Sequence, residues 1–214
     1  MGSLVLAVGT GSTWAMRAAL VLAMSGLTWQ EQVFDLEDAK SLARLKRLAP
    51  AGLVPWLEHD GVRVHDSLAI AEYVHELCPD RQLYPVSLAE RALARSLCAE
   101  LHAGFRQIRS LLPFFLGAPT RIDPPVEAVG ELARLQEIWS QTRGPFYFGE
   151  AGIVDAFYVV MAYRLASYGI LLPGQAGAYQ QALLSWPLWQ ETLLKARLQW
   201  PVAARLSQGA LADR

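Results

Sequence analysis

Cysteine is scarce in this chain: two residues, Cys78 and Cys98, among 214. They form no CxxC pair and fall in helix-like stretches, which fits a reducing compartment better than a disulfide framework. Both read as inert core residues. Long apolar runs are missing too. A stretch such as Ala18–Met24 falls far short of the roughly 20 residues that a membrane-spanning helix needs. No basic segment precedes a long apolar one near the start, and Arg17 interrupts the only candidate. No signal peptide is therefore expected, and the cytoplasm is the expected compartment. Nor does one charge sign dominate. Up to Asp80 there are six Lys/Arg against ten Asp/Glu, net −4, and from Arg81 onward thirteen against ten, net +3. Neither part is basic enough to suggest nucleic acid. What the chain has in quantity is apolar side chains: 53% hydrophobic and 10% aromatic. That excludes disorder and suffices for one large domain or two modest ones. No internal repeat appears.

Patterning divides the chain. Leu4–Val8 ("LVLAV") reads as a buried strand, followed by a Gly-rich loop and a helix from about Trp14 to Met24, stopped at Ser25-Gly26. Trp29–Leu36 reads as a second strand and Ala39–Leu48 as a second helix, with Leu42, Leu45 and Leu48 on one face. In "LVPWLEHDGVRVHD" two short runs flank Asp60-Gly61, a strong hairpin signal. From Ser67 to Leu77 the apolar residues return to helical spacing, and Pro79 ends the segment. The order is βαβαββα. After the Pro-containing stretch "CPDRQLYPVS" no convincing strand follows. Long helices are expected over Leu88–Phe115 and Val126–Thr142, with others from about Val154, Gln175 and Leu188. The expected architecture is α+β followed by all-α: a sheet domain over residues 1–80, a linker over 81–87 and a helical domain over 88–214.

The segment "GTGSTWAMR", Gly9 to Arg17, places two hydroxyls, Ser12 and Thr13, at the join between strand and helix. They could simply cap the helix. They could equally face a ligand, because exposed N–H groups at a helix start attract an anion.

Four stretches together resemble the cytosolic glutathione transferase family. "STWAMR" resembles the "SSxxxR" pattern of zeta-class and related bacterial proteins. "LAPAGLVPWL" resembles "NPxGxVPxL", with Ala49 in place of Asn. "HDSLAIAEYV" resembles "ESxAIxxYL", with Asp66 in place of Glu or Gln. "FGEAGIVDAFYVV" resembles the helical domain's "SIADxxxxP", with Gly152 where Ser or Thr is common. The resemblance covers nearly the whole chain.

It implies a thioredoxin-like sheet domain that binds glutathione and a helical domain that supplies the pocket for an electrophile. A thiol near pKa 8.5 is mostly protonated at neutral pH, so such an enzyme must stabilise the thiolate with a hydrogen-bond donor and the positive end of a helix. The resemblance implies Ser12 as that donor, with Thr13 in reserve and Arg17 as either a catalytic or a structural charge. It implies that Val54, before Pro55 in a cis bond, grips the cysteinyl part of glutathione; a trans Pro at an edge strand is the commoner alternative. Ser67 and its N–H would bind the γ-glutamyl carboxylate, and Asp66 the ammonium, although both could also cap the following helix. His102, Phe105 and Arg109, read as one helix face, are candidates for the second-substrate wall, where an Arg would suit an anion. Asp155 stands three residues after Gly152 and reads as half of a structural capping box. No metal is expected.

The leading function is a glutathione transferase that conjugates or isomerises a small electrophile, as a homodimer and with no nucleic-acid or membrane partner. A fold-retaining binding or regulatory protein without turnover is the alternative. A thiol reductase ranks last, because Ser12 and Thr13 stand where such an enzyme carries Cys.

Overall fold

The computed structural model describes residues 3–199. Strand β1 (Leu4–Gly9) runs through the middle of a four-stranded sheet of order β2-β1-β3-β4. It pairs in parallel with β2 (Trp29–Phe34) and antiparallel with β3 (Trp56–His59), which in turn pairs antiparallel with β4 (Val62–Val64). Its central position explains its unbroken apolar sequence, since a strand covered on both faces does not alternate. The β3–β4 turn has Asp60 at φ 49° and Gly61 at φ 83°. Two consecutive left-handed residues define the turn that Asp-Gly favours between antiparallel strands.

Helix α1 (Thr13–Ser25) follows β1, α2 (Ala39–Leu48) follows β2, and α3 (Ser67–Leu77) follows β4, so the sheet domain reads βαβαββα as expected. Each helix starts on a polar cap. Ser12 Oγ accepts the Ala15 N–H, Asp38 Oδ2 the Ser41 N–H, and Asp66 Oδ1 the Leu68 N–H. Gly26, in the left-handed region at φ 74°, closes α1.

The remaining elements are α4 (Leu88–Ala103), α5 (Arg106–Leu111), a short 3-10 turn (Val126–Ala128), α6 (Val129–Trp139), α7 (Ile153–Ser167), α8 (Gly174–Ser185) and α9 (Pro187–Gln199). Among the described residues no helix is long and apolar enough to cross a membrane. Two sequence expectations need correction. The stretch Leu88–Phe115 is two helices with a break at Gly104-Phe105, where Phe105 takes a left-handed φ of 57° while its ring is only 5% exposed. Burial of the ring holds a bulky residue where it has no intrinsic preference to be. The stretch Val126–Thr142 opens as a 3-10 turn and ends at Trp139.

Helix α7 is the axis of the helical domain and is buried almost all round, from Ile153 to Leu165. Helix α1 packs on α3 on one side and on α7 and α9 on the other, so one hydrophobic core runs through both domains. Polar contacts reinforce the junction. Arg95 of α4 makes a 2.9 Å ion pair with Glu72 of α3, which also accepts the Tyr84 hydroxyl at 2.5 Å. Lys195 of α9 reaches Glu31 of β2 at 2.6 Å. Partly exposed pairs of this kind add at most about 1 kcal/mol each, so the shared apolar core dominates.

Candidate functional site

Above β1 the chain turns through Thr10 and Gly11 into α1. Thr10 is pinned there: its Oγ1 donates to Asp35 at 3.3 Å and accepts the Leu36 N–H at 3.0 Å. Gly11 needs its φ of 78°, which L side chains rarely adopt. At Gly9 a Cβ would lie 2.7 Å from Val54 Cγ2, so this glycine allows the loop before β3 to close on the end of β1. These constraints bring three loops together around a cavity of about 230 Å³. Trp14 of α1, Val54 and Pro55 before β3, Asp66 and Ser67 at the start of α3, and His102 near the end of α4 line it. The Val54–Pro55 bond is cis.

Ser67 is fully buried, and its hydroxyl has no hydrogen-bond partner among the described residues. Such an orphan costs roughly 1–3 kcal/mol unless something fills the site. It sits on the first residue of α3, where the positive end of the helix dipole favours an anion. Asp66 beside it is already engaged. Its Oδ1 accepts the N–H groups of Leu68 at 2.9 Å and Ala69 at 3.4 Å, and its Oδ2 lies 3.1 Å from His102 Nε2. Burial pushes the His102 pKa below its ordinary value; Asp66 opposes that, while Arg17 and Arg109 add to it.

The hydroxyl pair stands behind this wall. Ser12 and Thr13 are each 1% exposed and do not line the cavity. Ser12 Oγ caps α1 through the Ala15 N–H at 3.3 Å. Arg17 is 2% exposed, its guanidinium 4.5 Å from the Trp14 ring centroid and 5.4 Å from that of Phe157 on α7. It is packed into the junction between the domains.

His102, Phe105 and Arg109 do not form one helix face, because the break at Gly104-Phe105 separates them. Only His102 lines the cavity, and Phe105 belongs to the core. Arg109 folds back, donating to the His102 carbonyl at 3.3 Å and lying 5.0 Å from the Trp14 centroid. Trp14 is therefore a site residue that pattern reading missed: it lines the cavity and meets His102 edge-on at 4.8 Å. Its signal was an aromatic residue in the first turn directly after the hydroxyl pair.

A larger cavity, about 590 Å³, lies at the other end of α1 beside Ser25, His59, Cys78 and Arg81, and holds none of the motif residues. Cys98 is fully buried and desolvation raises its thiol pKa, which leaves it inert. Among the described residues no group of three His, Cys, Asp or Glu is placed to hold a metal ion.

Comparison with known proteins agrees with this geometry. Residues 11–77 match the family "Glutathione S-transferase, N-terminal domain". The chain is 31% identical over 100 residues, 47% of each chain, to a Caenorhabditis elegans protein named "Probable maleylacetoacetate isomerase". It is 36% identical over 83 residues, 38% of each, to glutathione S-transferase 1 of Dianthus caryophyllus. These matches span about half or less of the relatives' length. Over the whole fold it is similar to a Burkholderia glutathione transferase homolog solved with bound glutathione, at a TM-score of 0.70 and 25% identity, covering 92% of this chain and 99% of that one. Glutathione transferase Omega 2S from Trametes versicolor superposes with a TM-score of 0.73 at 19% identity, over 93% and 96% of the two chains, a likeness of fold alone.

Proposed function

We propose that this chain, which belongs to the glutathione transferase family, binds glutathione in the cavity between α1, the Val54–Pro55 loop and α3, and activates it as a thiolate toward a small electrophile. The observation that carries the reading is the buried, partnerless hydroxyl of Ser67 at the start of α3, inside a cavity of about 230 Å³. A γ-glutamyl carboxylate would take that hydroxyl and Ser67's own N–H as donors. Its ammonium would face Asp66, and the cysteinyl backbone would pair with Val54. The sulfur would then lie toward the start of α1, where Ser12 and the helix dipole favour the thiolate.

Chemically, the bound thiol gives its proton to water and the sulfur lone pair forms a C–S bond to the electrophile. In conjugation that bond persists, and the electrophile either loses a leaving group with its electron pair or, after addition to a double bond, takes a proton from water. In isomerisation the double bond's electron pair moves onto the adjacent carbonyl, the single bond rotates, and the pair returns to expel the thiolate. The assignment of Ser12, with Thr13 and Arg17 in support, makes this a serine-type enzyme resembling the zeta class. Residues 1–80 would hold glutathione and 88–214 the second substrate, linked by 81–87; of these, residues 1–2 and 200–214 lie outside the described residues. A cytoplasmic homodimer is the form we propose.

Calorimetry with free glutathione tests the reading, followed by a panel of one conjugation substrate, one peroxide and one maleyl-type cis olefin. Micromolar-to-millimolar binding and turnover of at least one panel member is expected. Absence of glutathione binding overturns the proposal, and binding without turnover would leave a glutathione-binding protein.

A further inference from the structure

Asp66 and His102 belong to different domains and meet across the cavity, Oδ2 to Nε2 at 3.1 Å. Oδ1 of Asp66 is committed to the α3 cap, with the Leu68 and Ala69 N–H groups on it. Only Oδ2 remains for a ligand, and His102 sets where it points. The imidazole is itself confined. Trp14 stacks edge-on against it at 4.8 Å, and its Nδ1 is buried without a partner among the described residues.

A buried Nδ1 with no acceptor beside it is better tolerated as a lone pair than as an N–H. The proton therefore sits on Nε2, and the neutral ring donates to Asp66 Oδ2. A carboxylate oxygen can accept a second hydrogen bond, so a neutral His102 leaves Asp66 charged and oriented for an incoming ammonium. An imidazolium would instead neutralise it. The groups around the ring are Asp66 before α3, Trp14 and Arg17 on α1, and Arg109 on α5, so both neighbouring cations oppose that second charge.

We propose that His102 is a positioning residue for glutathione recognition: from the helical domain it holds the Asp66 carboxylate toward the ligand ammonium while neutral, and competes with that ammonium once protonated. The inference rests on the proposal that glutathione occupies this cavity. It gives α4 a part in recognising glutathione, where the sequence pattern had assigned His102 to the second substrate.

Calorimetry with S-methylglutathione, which has no thiol to ionise, provides the test between about pH 7 and pH 5.5, where the ligand's own carboxylates and ammonium keep their charge. The parent is expected to bind more weakly at the acid end, by less than about eightfold because His102 titrates below its ordinary value. His102→Gln, whose amide can donate to Asp66 but does not titrate, is expected to bind like the parent at pH 7 and lose the slope. His102→Leu should bind more weakly at pH 7 with no slope, its fold checked by circular dichroism. His65, which also lines the cavity, is controlled by His65→Gln, which should keep the parent slope. A flat parent profile, an unchanged slope in His102→Gln, or loss of slope in His65→Gln overturns the inference. A parent that binds at no pH removes the underlying reading and this inference with it.

Discussion

The Ser12 hydroxyl accepts the Ala15 N–H at 3.3 Å, which leaves its own proton unused by the cap. Capping and the proposed sulfur activation are therefore compatible in one residue: the helix fixes the oxygen, and the remaining proton would be offered to a thiolate held at the start of α1. Ser12→Ala is expected to raise the pKa of the bound thiol by about one to two units, at roughly 1.4 kcal/mol per unit. It should also cost about 0.5–2 kcal/mol of stability through the lost cap. Titration of thiolate absorbance for the parent, Ser12→Ala and Thr13→Ala measures this. A shift in Thr13→Ala alone would move the assignment one residue along, and no shift in either would leave the helix start as the activator.

Ser67 separates binding from folding. Its hydroxyl has no partner among the described residues, so Ser67→Ala removes no hydrogen bond there and should leave unfolding by urea unchanged or slightly stabilised. Glutathione affinity should nevertheless fall by roughly 1.5–3 kcal/mol, the range for a hydrogen bond to a charged group. Calorimetry and urea melts on the same variant check both halves. Equal affinity would reduce Ser67 to a buried helix-start residue.

The sheet domain is legible because its signals are local. Asp60-Gly61 names its own turn, Pro79 stops α3, and Ser12, Asp38 and Asp66 mark helix starts within one turn of where they act. Val54, Pro55, Asp66 and Ser67 are likewise found through short motifs, and they meet at one cavity. What stays hidden depends on tertiary contact. The break at Phe105 comes from burying one ring, and helical periodicity continues straight through it. Beyond the break Arg109 folds onto Trp14, while His102, on α4 before it, meets Asp66 thirty-six residues earlier in the chain. No sequence spacing announces a contact of that separation.

Oligomeric state is open to direct measurement. The sheet part carries net −4 and the remainder net +3, so contact between the first part of one copy and the second part of another would be electrostatically favourable. Sedimentation at micromolar concentration should give a dimer mass, falling toward the monomer as salt is raised if that complementarity contributes. A monomer at low salt would remove the homodimer proposal.

Asp155 gives the sharpest prediction for stability. Its carboxylate is 1% exposed and takes three donors: the Tyr147 N–H at 2.9 Å, the Gly152 N–H at 2.8 Å and the Tyr179 hydroxyl at 2.7 Å. Gly152 has no side chain to return a bond, so the capping box is half present, and Asp155 compensates by tying α7 to α8 and the preceding loop. Burial outweighs the three hydrogen bonds and pushes its pKa up to about 6. Unfolded, the group would titrate near about 3.9. Between those values the folded protein holds the proton more tightly than the unfolded chain, so this contribution to stability is complete below about pH 4 and is lost as pH rises through about 6. Asp155→Asn cannot titrate, and its amide nitrogen would set donor against the Gly152 N–H. It should be less stable than the parent throughout, by about 1 kcal/mol or more. The gap should narrow by about 1–2 kcal/mol from pH 4.5 to pH 7.5, as ionisation penalises only the parent. Urea melts of both proteins across that range decide it: a gap that widens with pH would mean that the three donors outweigh burial and that Asp155 is ionised throughout.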